Sequence, residues 1–286
     1  WSFLNLLFLF CIQRKLFKNT QMQYYPLNHV IKMSKSKSYP MKLLITGIFL
    51  IATTISLLTY SKSKSLETFL FSANKINLNS ISSNAIGSIA EHNLYNNLSL
   101  SSKGLSESVF LLAYRGFEKI NALGKLNSDS ILTIIDYSKS SREKRMFVVD
   151  LKLQTLLFHT VVAHGRNSGQ EFAKDFSNKM NSHQTSLGFY ITGSTYSGSN
   201  GYSLQLKGIE DGFNDKALAR AIVIHGADYA NESTINSRGY LGRSYGCPAL
   251  PQQINMKVIN KIKQGSLLFA YYPDKKYLNN SEIING

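Results

Sequence analysis

The run Gly242-Arg243-Ser244-Tyr245-Gly246-Cys247-Pro248 sets a thiol between a glycine and a proline. A thiol attacks as its thiolate, so whatever lowers its pKa decides whether it can act as a nucleophile. The residues after Pro248 read as a helix, Leu250 to Lys263, with Ile254, Val258 and Ile262 on one face. Proline is tolerated in a first helical turn, and the positive end of that helix would favour the thiolate. Gly246 permits a tight turn, so N–H groups around Cys247 could point at a developing oxyanion. The other reading of Cys247 is a small hydrophobe packed under a turn.

A thiol nucleophile needs a base, and Ile222-Val223-Ile224-His225-Gly226 offers one at the end of an apolar strand. Strand ends are rigid, and imidazole titrates near neutrality, which suits proton transfer from a thiol. A structural histidine bonded to a carbonyl is the competing reading. His164 is a rival: it too ends an apolar strand, and Gly165-Arg166-Asn167-Ser168-Gly169 follows. It could be the base, orient substrate, or hold a loop. His183 lies in a polar loop and His159 inside a strand, while His29 and His92 fall outside the expected ordered part. Arg243 could meet a substrate carboxylate by a bidentate contact or sit in a structural ion pair.

The elements that must position these residues are mostly short strands. Ser106 is a good N-cap for a helix burying Val109, Phe110, Ala113, Phe117 and Ile120, with Gly124 at its end. The period then shifts to β: Ile131–Tyr137, Arg145–Asp150, Thr155–Ala163, Leu187–Thr192, Ser203–Leu206, Ala221–Ile224 and Ser266–Tyr272. Leu151–Gln154 reads as a hairpin turn and Gly193–Tyr202 as a loop. This pattern predicts a mainly β domain with a few helices, a sandwich or barrel.

Composition bounds the rest. The 286 residues are 43% hydrophobic and 17% charged, which is globular. The net charge of +15 suggests nucleic acid, but residues 1–64 hold nine Lys or Arg and no acid, leaving +6 elsewhere. No basic block tracks phosphates, so no nucleic-acid partner is expected. Residues 1–40 read as an upstream over-extension, with Met33 or Met41 as the start. Residues 41–60 read as a signal peptide or N-terminal anchor: Lys35, Lys37 and Lys42 precede sixteen uncharged residues, Leu43–Leu58. Membrane anchoring, if it occurs, falls to residues 43–58, and both readings export the chain to the periplasm or cell envelope. Residues 61–104 read as a Ser/Asn/Lys-rich linker, 105–274 as the catalytic domain, and 275–286 as a polar tail. Of the two cysteines, Cys11 lies in the upstream stretch, which leaves Cys247 alone in the exported part and unable to form an internal disulfide.

Taken in order, Ala163 to Gly169, Ser186-Leu187-Gly188, His225-Gly226 and Gly242 to Leu250 resemble the murein L,D-transpeptidase catalytic domain, a YkuD-like family, over about residues 130–274. The resemblance implies an L,D-transpeptidase-type β-sandwich and a Cys247–His225 pair acting on peptidoglycan stem peptides through a thioester, with no cofactor or metal. It implies an oxyanion hole from the N–H groups of Tyr245, Gly246 and Cys247. Arg243, Ser244, His164 and Gly226 would contact substrate. The sequence departs from the broad pattern in three places. Tyr245 stands where a second histidine is usual, the spacer from His225 to Ser244 has eighteen residues, and Pro248 follows the cysteine. Three outcomes remain open: a cross-link to a second stem, hydrolysis by an L,D-carboxypeptidase or endopeptidase, or a catalytically silent wall-binding module.

Overall fold

A computed structural model describes residues 83–286. The expected leader, including Leu43–Leu58, lies outside the described residues. Helix α1 (Ser83–Asn97) and α2 (Glu107–Ala122) come first, and the short α3 (Glu232–Arg238) lies later in the chain. The Ser106 hydroxyl accepts the Val109 N–H at 3.4 Å, as an N-cap should. The apolar face of α2 buries Val109, Phe110, Ala113, Phe117 and Ile120. Gly116 leaves room on that face for the Phe189 ring, which stacks on Phe269 with centroids 4.2 Å apart. A side chain at 116 would collide with this pair, so packing outweighs the cost of a mid-helix glycine, about 1 kcal/mol.

Eight strands form one mixed sheet among the described residues. They are β1 (Ile131–Asp136), β2 (Met146–Asp150), β3 (Thr155–Thr160), β4 (Gly188–Gly198), β5 (Gly201–Gly208), β6 (Val223–Gly226), β7 (Ala249–Leu250) and β8 (Leu267–Tyr271). Their order is β3-β2-β1-β8-β4-β5-β6-β7, with β8 parallel to β1 and antiparallel to β4. Alternation sorts the side chains. Leu132 and Ile134 of β1 join one core with α2, while Ile131 and Ile135 join another with α4 (Gln252–Ile262). The mainly β fold with few helices is the one expected. Among the described residues, no helix is long and apolar enough to cross a membrane.

Three boundaries differ from expectation. Residues 83–104 are not a linker: α1 and the turn after it bury Leu94, Tyr95, Leu98 and Leu100 in the α2 core. The expected loop at Gly193–Tyr202 continues β4 and β5 as a long hairpin. Its outer residues are solvated, so polarity there marks exposure rather than a loop. The supposed tail 275–286 forms α5 (Lys275–Asn280) and α6 (Glu282–Asn285), with Tyr277 buried. The buried Glu210 carboxylate ties this end down, accepting from Phe189 N–H at 2.6 Å, Tyr277 O–H at 2.9 Å and Ser281 O–H. Burial raises its pKa, and these donors partly offset that.

Candidate active site

Strand β6 lies next to β7 in parallel register, His225 opposite Ala249. The chain reaches β7 directly from Cys247, so the register brings the thiol alongside β6. The Val223 N–H points at Cys247 Sγ at 3.4 Å, and the thiol faces the Ala221 carbonyl at 3.7 Å. Ala221 holds φ +54, a left-handed conformation that costs a non-glycine residue about 1 kcal/mol and marks local strain beside the sulfur. His225 is two residues beyond Val223 on the same strand face. Cys247 and His225 line one cavity of about 640 Å³, together with Arg220, Tyr229, Arg243 and Tyr245. Cys247 is half-buried there.

The turn before the cysteine is fastened from within. Ser244 Oγ donates to the Cys247 carbonyl at 2.6 Å and accepts the Gly246 N–H at 3.0 Å. The Thr185 hydroxyl donates to the Gly246 carbonyl at 3.3 Å. Gly246 has φ +123 and faces the Gln184 carbonyl at 2.8 Å from where a Cβ would stand, so only glycine fits.

These bonds revise the expected roles. The Gly246 N–H is taken by Ser244 and leaves the candidate oxyanion hole. The N–H groups of Tyr245 and Cys247 have no acceptor among the described residues. Ser244 lines the cavity, but its hydroxyl is spent on the turn. Gly226 is not among the described residues that line the cavity: it is buried against Gln252 and Asn255 of α4, and its carbonyl accepts His225 Nδ1–H at 2.9 Å. That bond fixes the tautomer and leaves Nε2 with its lone pair.

His164 is removed from the substrate contacts as well. It is 1% exposed, its Nδ1 accepts from the buried Arg145 at 2.7 Å, and its Nε2 faces the Gly169 carbonyl at 3.4 Å. Burial, then the Arg145 charge, pushes its pKa down to about 3, so it stays neutral and structural. Arg243 is exposed on the cavity rim. Its Nη1 holds the carbonyls of Arg166 and Gly169 at 3.3 and 3.1 Å, and no carboxylate pairs with it among the described residues. The structural ion pair weighed for it is therefore absent among those residues. Tyr245 is exposed, lying against the His183 ring and under the Arg166 guanidinium.

The helix argument for the thiol also changes. Helix α4 begins at Gln252, beyond β7, and a helix dipole fades within one turn. Burial pushes the Cys247 thiol up, against smaller opposing effects of the Val223 N–H and the Arg220 charge. Burial lowers the pKa of His225, opposed by its bond to Gly226. At neutral pH the site therefore rests as thiol and neutral imidazole rather than as an ion pair. Iodoacetamide should label Cys247 more slowly than free cysteine at pH 7, with the rate still rising above pH 9. Faster labelling at pH 7 would show a preformed thiolate.

Arg220 and Tyr229 are among the cavity residues that were not singled out in the sequence. Arg220 donates to the carbonyls of Ser177 and Gln184 at 2.8 and 2.6 Å and to the hydroxyls of Ser186 and Ser182. It thus pins the segment 177–186 and brings a positive charge near the sulfur. Its signal was a lone charge just before an apolar strand. Tyr229 fits against Gly242, where any Cβ would strike its ring. Burial and the nearby thiol push its hydroxyl up to about 12.

A mainly β domain with a thiol and an imidazole on one cavity wall is the class that fold and site define. Residues 101–271 match the family described as the L,D-transpeptidase catalytic domain, and the chain belongs to that family. No curated protein matches the chain. Among solved structures it is similar to an L,D-transpeptidase from Mycobacterium smegmatis, at 12% identity over 50% of this chain and 59% of that one, TM-score 0.31. It is similar to L,D-transpeptidase 1 from Mycobacterium tuberculosis, at 11% over 50% and 62%, TM-score 0.29. It is also similar to the helical cell shape determining protein Pgp2 from Campylobacter jejuni, at 15% over 51% and 49%, TM-score 0.33. The chain thus spans about half to three fifths of the length of these solved chains. Among the described residues no cluster of side chains could hold a metal ion.

Proposed function

We propose that the protein is a cysteine-dependent L,D-transpeptidase that cross-links peptidoglycan stem peptides. One observation carries the reading: Cys247 and His225 open on the same cavity, the ring held by Gly226 with Nε2 unprotonated. In this reading the Cys247 sulfur attacks the carbonyl carbon before the terminal D-amino acid while His225 Nε2 takes the thiol proton. The N–H groups of Tyr245 and Cys247 receive the oxyanion. As the tetrahedral intermediate collapses, the C–N bond breaks and His225 returns the proton to the leaving amine. The thioester is then attacked by a side-chain amine of a second stem, which forms the new amide and releases the thiol. Arg243 meets the carboxylate of the leaving residue. The substrate polymer lies outside the cytoplasm, so the reading includes export, supported by Lys35, Lys37, Lys42 and the uncharged Leu43–Leu58.

Purified protein given disaccharide tetrapeptides and an acceptor stem should yield cross-linked dimer. Release of tripeptide alone would assign water as the acceptor. Folded protein that neither turns over the tetrapeptide nor is acylated by a carbapenem at Cys247 would remove the enzymatic reading.

A further inference from the structure

The peptide units of the nucleophile turn are fastened unequally. Ser244 Oγ accepts the Gly246 N–H at 3.0 Å and donates to the Cys247 carbonyl at 2.6 Å. It therefore grips the unit before and the unit after the Gly246–Cys247 peptide, but not that peptide itself. The unit between them joins the Gly246 carbonyl to the Cys247 N–H. Among the described residues a single hydrogen bond holds it, from the Thr185 hydroxyl to the Gly246 carbonyl at 3.3 Å. Glycine has wide backbone freedom, so this plane could turn cheaply if nothing held it.

Thr185 is itself tightly placed. It is buried, its N–H donates to Ser168 Oγ at 2.9 Å, and its carbonyl accepts the Ser177 N–H at 3.0 Å. Its Oγ1 accepts the Gly165 N–H at 3.0 Å, which leaves its one proton for the Gly246 carbonyl. The β-branched side chain has few rotamers in which to lose that contact. Beside it, Arg220 Nη2 holds the Gln184 carbonyl at 2.6 Å, and that carbonyl lies against Gly246.

The carbonyl and N–H of a trans peptide point in opposite directions, and no peptide bond among the described residues is cis. A Gly246 carbonyl drawn to buried Thr185 turns the Cys247 N–H the other way. We infer that Thr185 is a positioning residue: through the Gly246 carbonyl it aims the Cys247 N–H into the cavity and polarises it as a donor. That N–H is one of the two assigned to the oxyanion. The consequence for acyl transfer rests on the function proposed above, whereas the direction of the N–H does not.

Gly246-Cys247 is the only Gly-Cys step in the sequence. In the full chain, isotopic labels on glycine carbonyl carbons and cysteine nitrogens therefore give one coupled NMR signal, that of this peptide. In the unmodified protein the Cys247 N–H should exchange rapidly with solvent, as a cavity-facing donor without an acceptor does. In Thr185→Val the signal should move as the carbonyl loses its bond. Its kcat should fall roughly 10- to 100-fold with KM little changed, a part of the cost of a lost oxyanion donor. Thr185→Ser, which keeps the hydroxyl, should restore kcat to near the parent value. Melting curves set a temperature at which all three forms are folded. The exchange measurement needs no variant, so it stays decisive if Thr185→Val fails to fold. A protected Cys247 N–H in the unmodified protein, a signal that does not move, parental kcat in Thr185→Val, or a Thr185→Ser as slow as Thr185→Val would overturn the inference. A signal that moves while the unmodified protein forms no product sinks the transpeptidase reading and leaves the aim set by Thr185 standing.

Discussion

His225→Ala should lower kcat for acyl transfer by roughly 10²–10⁴, the usual worth of a positioned general base. The burden on this ring is large because burial raises the thiol pKa, so little thiolate exists at neutral pH without a base. The same burial lowers the pKa of His225 below its ordinary 6.5. A lowered value keeps the imidazole free to accept a proton at neutral pH, and activity should fall only as pH drops through a midpoint below 6.5. His164→Ala should behave differently. It strips an acceptor from the buried Arg145, and a buried donor left unpaired costs about 1–3 kcal/mol. Its melting temperature should fall while kcat stays within a few-fold of the parent. Measuring kcat, its pH profile and melting for both variants decides the matter. A larger loss of kcat in His164→Ala would exchange the two roles.

A fragment beginning at Leu105 should be severely destabilised relative to the full chain. It lacks Leu94, Tyr95, Leu98 and Leu100, all buried in the core that α2 covers. Each large apolar side chain buried is worth about 1.5–3 kcal/mol, so the four contribute roughly 6 kcal/mol or more. That is comparable to the whole stability of an ordinary domain, about 5–15 kcal/mol. At about 2–4 °C per kcal/mol for a domain of this size, melting should fall by more than roughly 10 °C, or the fragment should precipitate. Leu100→Ala in the full chain tests the same packing without truncation and should cost about 2–5 kcal/mol. Unchanged melting of both would mean that α1 is an ornament on an independent domain.

The sequence carried the candidate nucleophile and the candidate base because both are rare residues in punctuated contexts: Cys247 between Gly246 and Pro248, and His225 closing an apolar strand before Gly226. The strands of the central sheet were visible for the same reason, through β-branched runs such as Ile131–Asp136. What was hidden depends on partners distant in the chain. Tyr229 and Gly242 explain one another only once they pack together. The fate of the Gly246 N–H depends on which hydroxyl the turn presents, and the resemblance could not show that Ser244 takes it. Arg145 and His164 neutralise one another's hydrogen-bonding needs out of solvent, which made His164 look like a site residue in the sequence. Helix α1 and the turn after it were missed because their four core residues, Leu94, Tyr95, Leu98 and Leu100, are scattered among Ser and Asn. The β4–β5 hairpin was cut short because its outer half is polar on both faces.

The position of β8 has a consequence for the order in which the molecule can be completed. Among the described strands, β1 to β3 and β4 to β7 are two groups joined in the strand order through β8, Leu267–Tyr271. During synthesis the nascent polypeptide can assemble each group separately, yet no portion ending before Leu267 contains the seam that unites them. Closing that seam brings together partners more than 130 positions apart, such as Leu132 and Leu267, which places the slow, entropically costly step at the very end.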